Sequence, residues 1–135
     1  MNNRYIFRGK RKDNGEWVTG YYVCNGDHCY IFSGKLSIIN KNFNWVRYEV
    51  IPETVGQYTG LKDKNGKLMF EGDVVNALFD FEMPIKSVCG FKNGSFGLLA
   101  KQHGVEHFHA FTSICNVKHE LIGNIHDDDL LEVER

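Results

Sequence analysis

Proline and long apolar runs are scarce in this sequence. Only 2 of its 135 residues are proline, and no apolar run approaches the ~20 residues that a membrane-spanning helix needs. The segment 1–11 also lacks the apolar stretch of a secretory signal peptide. We therefore expect a protein that stays in the cytoplasm where it is made and that has no membrane partner.

A dominant charge and the common catalytic motifs are also missing. The formal net charge is −1, so no overall field draws the chain to nucleic acid or to an anionic membrane. The sequence contains neither the glycine-rich phosphate loop of nucleotide-binding proteins nor the Gly-x-Ser-x-Gly turn of hydrolases. We predict that the protein is not an enzyme and that it needs no cofactor.

Glycine and phenylalanine are plentiful, with 14 and 10 copies. Asn-Gly pairs between apolar runs favour type I′ hairpin turns, because both residues tolerate positive φ. The chain has four such pairs: Asn14-Gly15, Asn25-Gly26, Asn65-Gly66 and Asn93-Gly94. They predict a mainly β fold built from antiparallel hairpins.

The strands group into two strand-rich portions, 1–52 and 53–135, which are either separate or one integrated domain. The segment Pro52–Gly56 has the composition of a seam between them. We predict that the C-terminal portion is a small SH3-like barrel that begins near Tyr58.

Alternation along two predicted strands indicates which side chains share a face. One face carries Trp17, Thr19, Tyr21 and Val23, and another carries Val75, Ala77, Phe79 and Phe81. We expect both faces to point into the core, with Trp17 substantially buried.

Four segments of the sequence resemble the YopX family. They are Phe7–Lys10 with Gly15–Val18, then Ile51–Asp63, then Gly66–Lys67 with Phe70–Val75, and finally Ile122–His126. The resemblance implies a bacteriophage or prophage protein, mostly of Gram-positive hosts, with a β-rich fold in the bacterial cytoplasm. It implies no particular reaction, cofactor or catalytic residue.

Charged residues cluster at both ends of the chain. The start carries the basic cluster Arg4, Arg8, Lys10, Arg11 and Lys12, and the end carries Asp127, Asp128, Asp129, Glu132 and Glu134. The basic cluster is the candidate contact for a partner or for nucleic acid, because cations beside aromatic rings suit single-stranded nucleic acid. The competing interpretation is that these charged residues form a solvent-exposed surface, while Tyr5, Phe7 and Trp17 pack in the core beneath it.

Some histidines and cysteines suggest chemistry only weakly. His103, His107 and His109 would share one face of a strand and could ligate a metal, or they lie on a solvated edge or in a loop. Cys24, His28 and Cys29 lack the spacing of a zinc site, and Cys115 with His119 makes no dyad by proximity alone. In a cytosolic chain we expect all four cysteines, which include Cys89, to be reduced and partly buried.

The leading hypothesis is a non-catalytic phage or prophage accessory protein that acts by binding a protein. A nucleic-acid-binding module on the N-terminal basic strand is the second hypothesis. A metal-dependent enzyme on the histidine cluster is the third. We also expect a homo-oligomer, because 10 Phe, 6 Tyr and 2 Trp are more aromatic rings than a core of this size readily hides.

Overall fold

The computed structural model describes residues 5–36, 43–78, 83–102, 104–114 and 117–127. These residues form β-strands and two short 3₁₀ helices, Pro52–Thr54 and Phe111–Ser113, and no α-helix occurs among them. The strands are β1 (Phe7–Lys10), β2 (Trp17–Asn25), β3 (His28–Leu36), β4 (Phe43–Val50), β5 (Gly56–Lys62), β6 (Leu68–Phe70), β7 (Asp73–Leu78), β8 (Ile85–Lys92), β9 (Ser95–Gln102), β10 (Val105–Ala110) and β11 (Lys118–Asn124). The prediction of a mainly β protein is confirmed.

The chain divides into two compact units, 1–58 and 59–135. The division falls within β5, just after the segment Pro52–Gly56 that the sequence indicated as the seam. The first sheet has the order β4-β3-β2-β1-β5-β6. The core of the first unit consists of Cys29, Ile31 and Val50, against which Phe7, Val18, Tyr22 and Val55 pack.

The second unit contains an antiparallel sheet of order β10-β9-β8-β7-β11. Its core consists of Met69, Val75, Ala77, Cys89, Leu98 and Phe111. The outer strands β10 and β11 pair only with β9 and β7 among the described residues. The sheet is therefore open, and the predicted SH3-like barrel is not confirmed, because turn chemistry indicates hairpins but not whether the outer strands close.

Each Asn-Gly pair lies in or directly beside a turn, but only Asn93-Gly94 has the predicted type I′ signature. Asn93 (φ 53°) and Gly94 (φ 81°) both have positive φ, between the paired residues Lys92 and Ser95. At Asn65-Gly66 only the glycine has positive φ, 84°. These two turns show that an Asn-Gly pair fixes the position of a turn more reliably than its type.

The predicted core-facing side is correct for β7 and wrong for β2. Val75 and Ala77 are fully buried, whereas Tyr21 and Val23 are 48% and 51% exposed. The buried side of β2 carries Val18 and Tyr22 instead. Because β2 has apolar residues on both faces, alternation separates its faces but does not say which one is inside. Phe79 and Phe81 lie outside the described residues.

Candidate functional site

One face of the first sheet points away from the core and is rich in rings and cations. Directly opposed residues of antiparallel strands lie on the same face. The pairs that define this face are Lys10–Trp17, Arg8–Thr19, Tyr21–Phe32, Val23–Tyr30, Phe32–Arg47 and Tyr30–Glu49. We call these ten residues the outer face.

Cations of the outer face stack on its rings. The guanidinium carbon of Arg8 lies 4.5 Å from the ring centroid of Trp17, and Nζ of Lys10 lies 5.5 Å from the same centroid. The guanidinium carbon of Arg47 lies 4.7 Å from the Tyr30 centroid. All three distances are within the ~6 Å range of cation–π attraction. The contacts hold flat rings and positive charges together on one face of the sheet.

The predicted basic cluster therefore divides. Arg8 and Lys10 come together on Trp17, while Arg4 lies outside the described residues. Arg11 stacks on Tyr48 at 4.6 Å, and its guanidinium donates to both carboxylate oxygens of Asp13, at 3.0 and 2.6 Å. These hydrogen bonds raise the pKa of Arg11 above its ordinary value and lower that of Asp13.

Lys12 is also engaged. Its ammonium lies 3.1 Å from Oε2 of Glu49, which His28 contacts at 3.0 Å. The hydrogen bond from His28, followed by that from Lys12, lowers the pKa of the Glu49 carboxyl. Arg11 and Lys12, two of the predicted contact residues, are thus paired with carboxylates. This pairing weakens the attraction of the basic cluster for phosphate groups.

Sequence reasoning missed Tyr30 and Arg47. Both lie on strands far along the chain from the basic cluster, and only the strand register brings them onto its face. No local motif marks either residue. The hairpin pattern around Asn25-Gly26 is the one sequence feature that pointed to β2 and β3 as neighbours.

The segments quoted for the family resemblance meet in the structure and brace it. In the first unit the backbone N–H of Lys10 donates to Oγ1 of Thr54 over 2.9 Å. A Cβ on Gly9 would come 3.2 Å from side-chain carbons of Val50 and Val55. The glycine therefore permits close packing of β1, and these motif residues act in folding.

Asp63 plays a similar part in the second unit. Its carboxylate accepts hydrogen bonds from the backbone N–H groups of Asn65, Lys67 and Leu121, at 2.9, 2.9 and 3.0 Å. Burial alone would raise the pKa of Asp63, but the three donors outweigh it and the pKa lies below its ordinary value. Asp63 thus ties the β5–β6 turn to β11.

Two of the three histidines of the predicted cluster lie among the described residues. His107 and His109 lie on β10 with ring centroids 6.4 Å apart, and His103 is outside the described residues. No group of three metal-ligating side chains occurs in the part of the chain that the structure describes.

The expectation that all cysteines are reduced is wrong for two of them. Cys24 and Cys29 are directly opposed on β2 and β3 and form a disulfide bond. Asn25 pairs with His28, so Gly26 and Asp27 form the loop. This loop lies one position later than Asn25-Gly26, and each residue of β2 therefore pairs two residues further along β3 than that loop would allow. Cys89 is buried, and Cys115 lies outside the described residues.

The second unit contains a cavity of about 510 Å³ between β5, β9, β11 and the second 3₁₀ helix. His119 lines it and is 6% exposed. Among the described residues its Nε2 has no hydrogen-bond partner, and the Phe111 ring packs edge-on against it at 5.5 Å. Burial lowers the pKa of His119 below 6.5, so the imidazole is neutral at pH 7.

Comparison with known proteins gives one family. A family model described as YopX protein matches residues 6–132 and includes all four motif segments. No curated protein matches the chain. In the described part of the chain no helix is long and apolar enough to cross a membrane.

Proposed function

We propose that this chain, which belongs to the YopX family, is a non-catalytic accessory protein of a phage or prophage that binds a protein through its outer face. The setting is the cytoplasm of the bacterial host. The partner is a host or phage protein with an acidic surface. The nucleic-acid hypothesis uses the same face and is separated from this one by experiment.

The composition of the outer face supports the proposal. Trp, Tyr and Arg are the residue types that dominate binding energy in protein interfaces, and the outer face carries Trp17, Tyr21, Tyr30 and Arg47. Tyr21 and Val23 are both about half exposed. Rings held in place by stacked cations lose little conformational entropy on binding, which favours affinity.

The single observation that carries the proposal is the stack of Arg8 and Lys10 on Trp17, beside Tyr21 on the same strand face. Cations packed on a ring keep the outer face positive while the apolar ring stays at the surface. An acidic protein surface with an apolar centre complements this arrangement. Single-stranded nucleic acid would complement it as well, but the carboxylates of Asp13 and Glu49 lie close to Arg11 and Lys12.

The test compares three baits in lysate of a bacterial host: the natural protein, the Tyr21→Glu/Arg47→Glu variant and the control Lys118→Glu, which changes an exposed residue of β11. We expect a protein that the natural chain and the control retain and that the outer-face variant loses at least tenfold. The captured protein is then purified and titrated against the three baits. Equal binding to all three baits would contradict the proposal.

A nuclease arm separates the second hypothesis. If nuclease treatment of the lysate abolishes capture, and if a labelled 20-mer of dT binds the purified chain with strong salt dependence, the outer face binds nucleic acid and not protein. Capture that survives nuclease, with no binding of the 20-mer at ~0.1 M salt, supports the protein partner.

A further inference from the structure

The cavity of the second unit has the size and lining of a ligand site. Its volume of about 510 Å³ lies within the ~300–1,000 Å³ typical of small-molecule pockets. Its apolar part is formed by Leu61, Phe96, Phe111, Ile114 and Val117. Such a lining favours a flat apolar ring, which would pack against the two phenylalanines.

Charge at the cavity has one sign. Lys62 is exposed and is the only charged side chain among the described residues that line it. His119 contributes no charge at neutral pH because the imidazole is buried. The neighbouring Lys64 does not line the cavity, and its ammonium lies 3.0 Å from Oε2 of Glu120.

His119 adds an unmet hydrogen bond. A buried polar atom without a partner costs about 1–3 kcal/mol, and most buried polar groups in folded proteins are paired. The side chain of His119 is 6% exposed, and among the described residues nothing bonds to its Nε2. A bound molecule that forms a hydrogen bond with Nε2 would remove this cost.

We propose that this cavity binds a small aromatic monoanion. The ring lies against Phe96 and Phe111, and the anionic group faces Lys62 at the rim. This inference goes beyond the proposed function, because it uses the second unit and none of the outer face. A cation would meet Lys62, and among the described residues that line the cavity a larger polyanion would find one positive side chain, that of Lys62.

Nuclear magnetic resonance of the labelled full-length protein tests the proposal with 2-naphthoate and its neutral counterpart 2-naphthamide. We expect 2-naphthoate to shift resonances of the cavity lining, including the imidazole protons of His119, and to bind more tightly than the amide. Lys62→Gln should weaken 2-naphthoate up to about fivefold, since an exposed ion pair contributes ~0–1 kcal/mol. It should leave 2-naphthamide unchanged, and Lys64→Gln should affect neither.

A cavity-filling variant gives a second measurement. Thr112 is exposed and lines the cavity, so Thr112→Trp should abolish binding of 2-naphthoate while the melting temperature is kept. Thr19→Trp, at an exposed position of β2, is the matched control and should bind as the natural protein does. The proposal is overturned if 2-naphthoate shifts are scattered outside the cavity, if the amide binds as tightly, or if Thr112→Trp binds normally.

Discussion

The side-chain amide of Asn124 donates a hydrogen bond over 3.0 Å to the carboxylate of Asp73, 51 positions earlier in the chain. The second carboxylate oxygen of Asp73 accepts from the backbone N–H of Phe70 over 2.8 Å. Asn124 and Asp73 are both buried, with 3% and 1% exposure. The hydrogen bond between Asn124 and Asp73 therefore joins two of the segments that resemble the YopX family. The role of these two residues is to hold β7 against β11.

Removal of the Asn124 amide should destabilise the second unit. Asn124→Ala leaves a buried oxygen of Asp73 without this donor, which costs about 1–3 kcal/mol. It also removes the acceptor of the His126 N–H, which lies at 2.8 Å. Urea denaturation measures the free energy of unfolding. Asn65→Ala is the matched control, because Asn65 is exposed and contributes its backbone N–H to Asp63. Equal stability of the two variants would contradict a bracing role.

Acid should weaken the protein through Asp63. The pKa of its carboxyl is lowered in the folded state, so its contribution is present above the unfolded pKa of ~4 and is lost as the pH falls through the folded value. Asp63→Asn should lower the melting temperature at pH 7 and flatten its decline as the pH falls below about 4.

The control for this prediction is Asp27→Asn, an exposed residue of the β2–β3 loop. It should keep both the melting temperature and its acid decline. An unchanged pH profile in Asp63→Asn would show that other groups dominate the acid response.

The turn at Gly66 should reject a β-branched residue. Its φ is 84°, and no atom lies within 4 Å of the position that a Cβ would occupy. The cost of Gly66→Val is therefore backbone strain alone, about 1–3 kcal/mol. Gly66→Asn should lose less, because asparagine tolerates positive φ. Thermal melting of both variants checks the order, and a valine variant as stable as the asparagine variant would contradict the assignment.

Trp17 should matter less for stability than a core residue does. It is half-buried on the outer face beneath Arg8 and Lys10, and each exposed cation–π contact is worth about 0.5–1 kcal/mol. Trp17→Ala should therefore cost about 1–2 kcal/mol, below the ~3–5 expected for a buried tryptophan. Ile31→Ala, at a fully buried site, is the comparison. A larger loss of stability in Trp17→Ala than in Ile31→Ala would support the prediction that Trp17 is substantially buried.

The hairpins were predictable because their chemistry is local. An Asn-Gly pair between apolar runs fixes where the chain turns, and Asn93-Gly94 has both positive φ values that the prediction requires. The same chemistry did not predict that the β2–β3 loop lies at Gly26-Asp27, one residue after the Asn25-Gly26 pair. With Asn25-Gly26 as the loop Cys24 would not face Cys29, whereas the observed loop opposes them.

The candidate site could be predicted only in part, because it depends on long-range register. Arg8 and Lys10 were recognised from a charge cluster, but Arg47 reaches the same face through pairing across β3 and β4. The cavity was not predicted at all. Its lining residues come from four elements; Lys62, for example, lies on β5 and His119 on β11. The spacing of residues in the sequence does not predict which residues of different strands meet.

Self-association should use an aromatic surface apart from the outer face. Phe91 is 54% exposed and packs against Phe96 with centroids 4.9 Å apart. Ion pairs between the charged ends of the chain would contribute only ~0–1 kcal/mol each, so an apolar contact has to supply the binding energy. Phe91, at the end of β8, is the exposed ring of the second unit best placed to do so.

Sedimentation at about 100 µM protein, well above the micromolar range in which modest interfaces are populated, decides this prediction. We expect a homo-oligomer at low and at high salt, because charges at the rim of an interface mainly change the association rate. Phe91→Glu should shift the protein to a monomer, since it places a charge in an apolar contact. Tyr21→Glu, on the outer face, should leave the mass unchanged. A monomer at every salt concentration would refute self-association. An oligomer that only Tyr21→Glu dissociates would move the contact to the outer face, where a second copy would compete with the acidic partner.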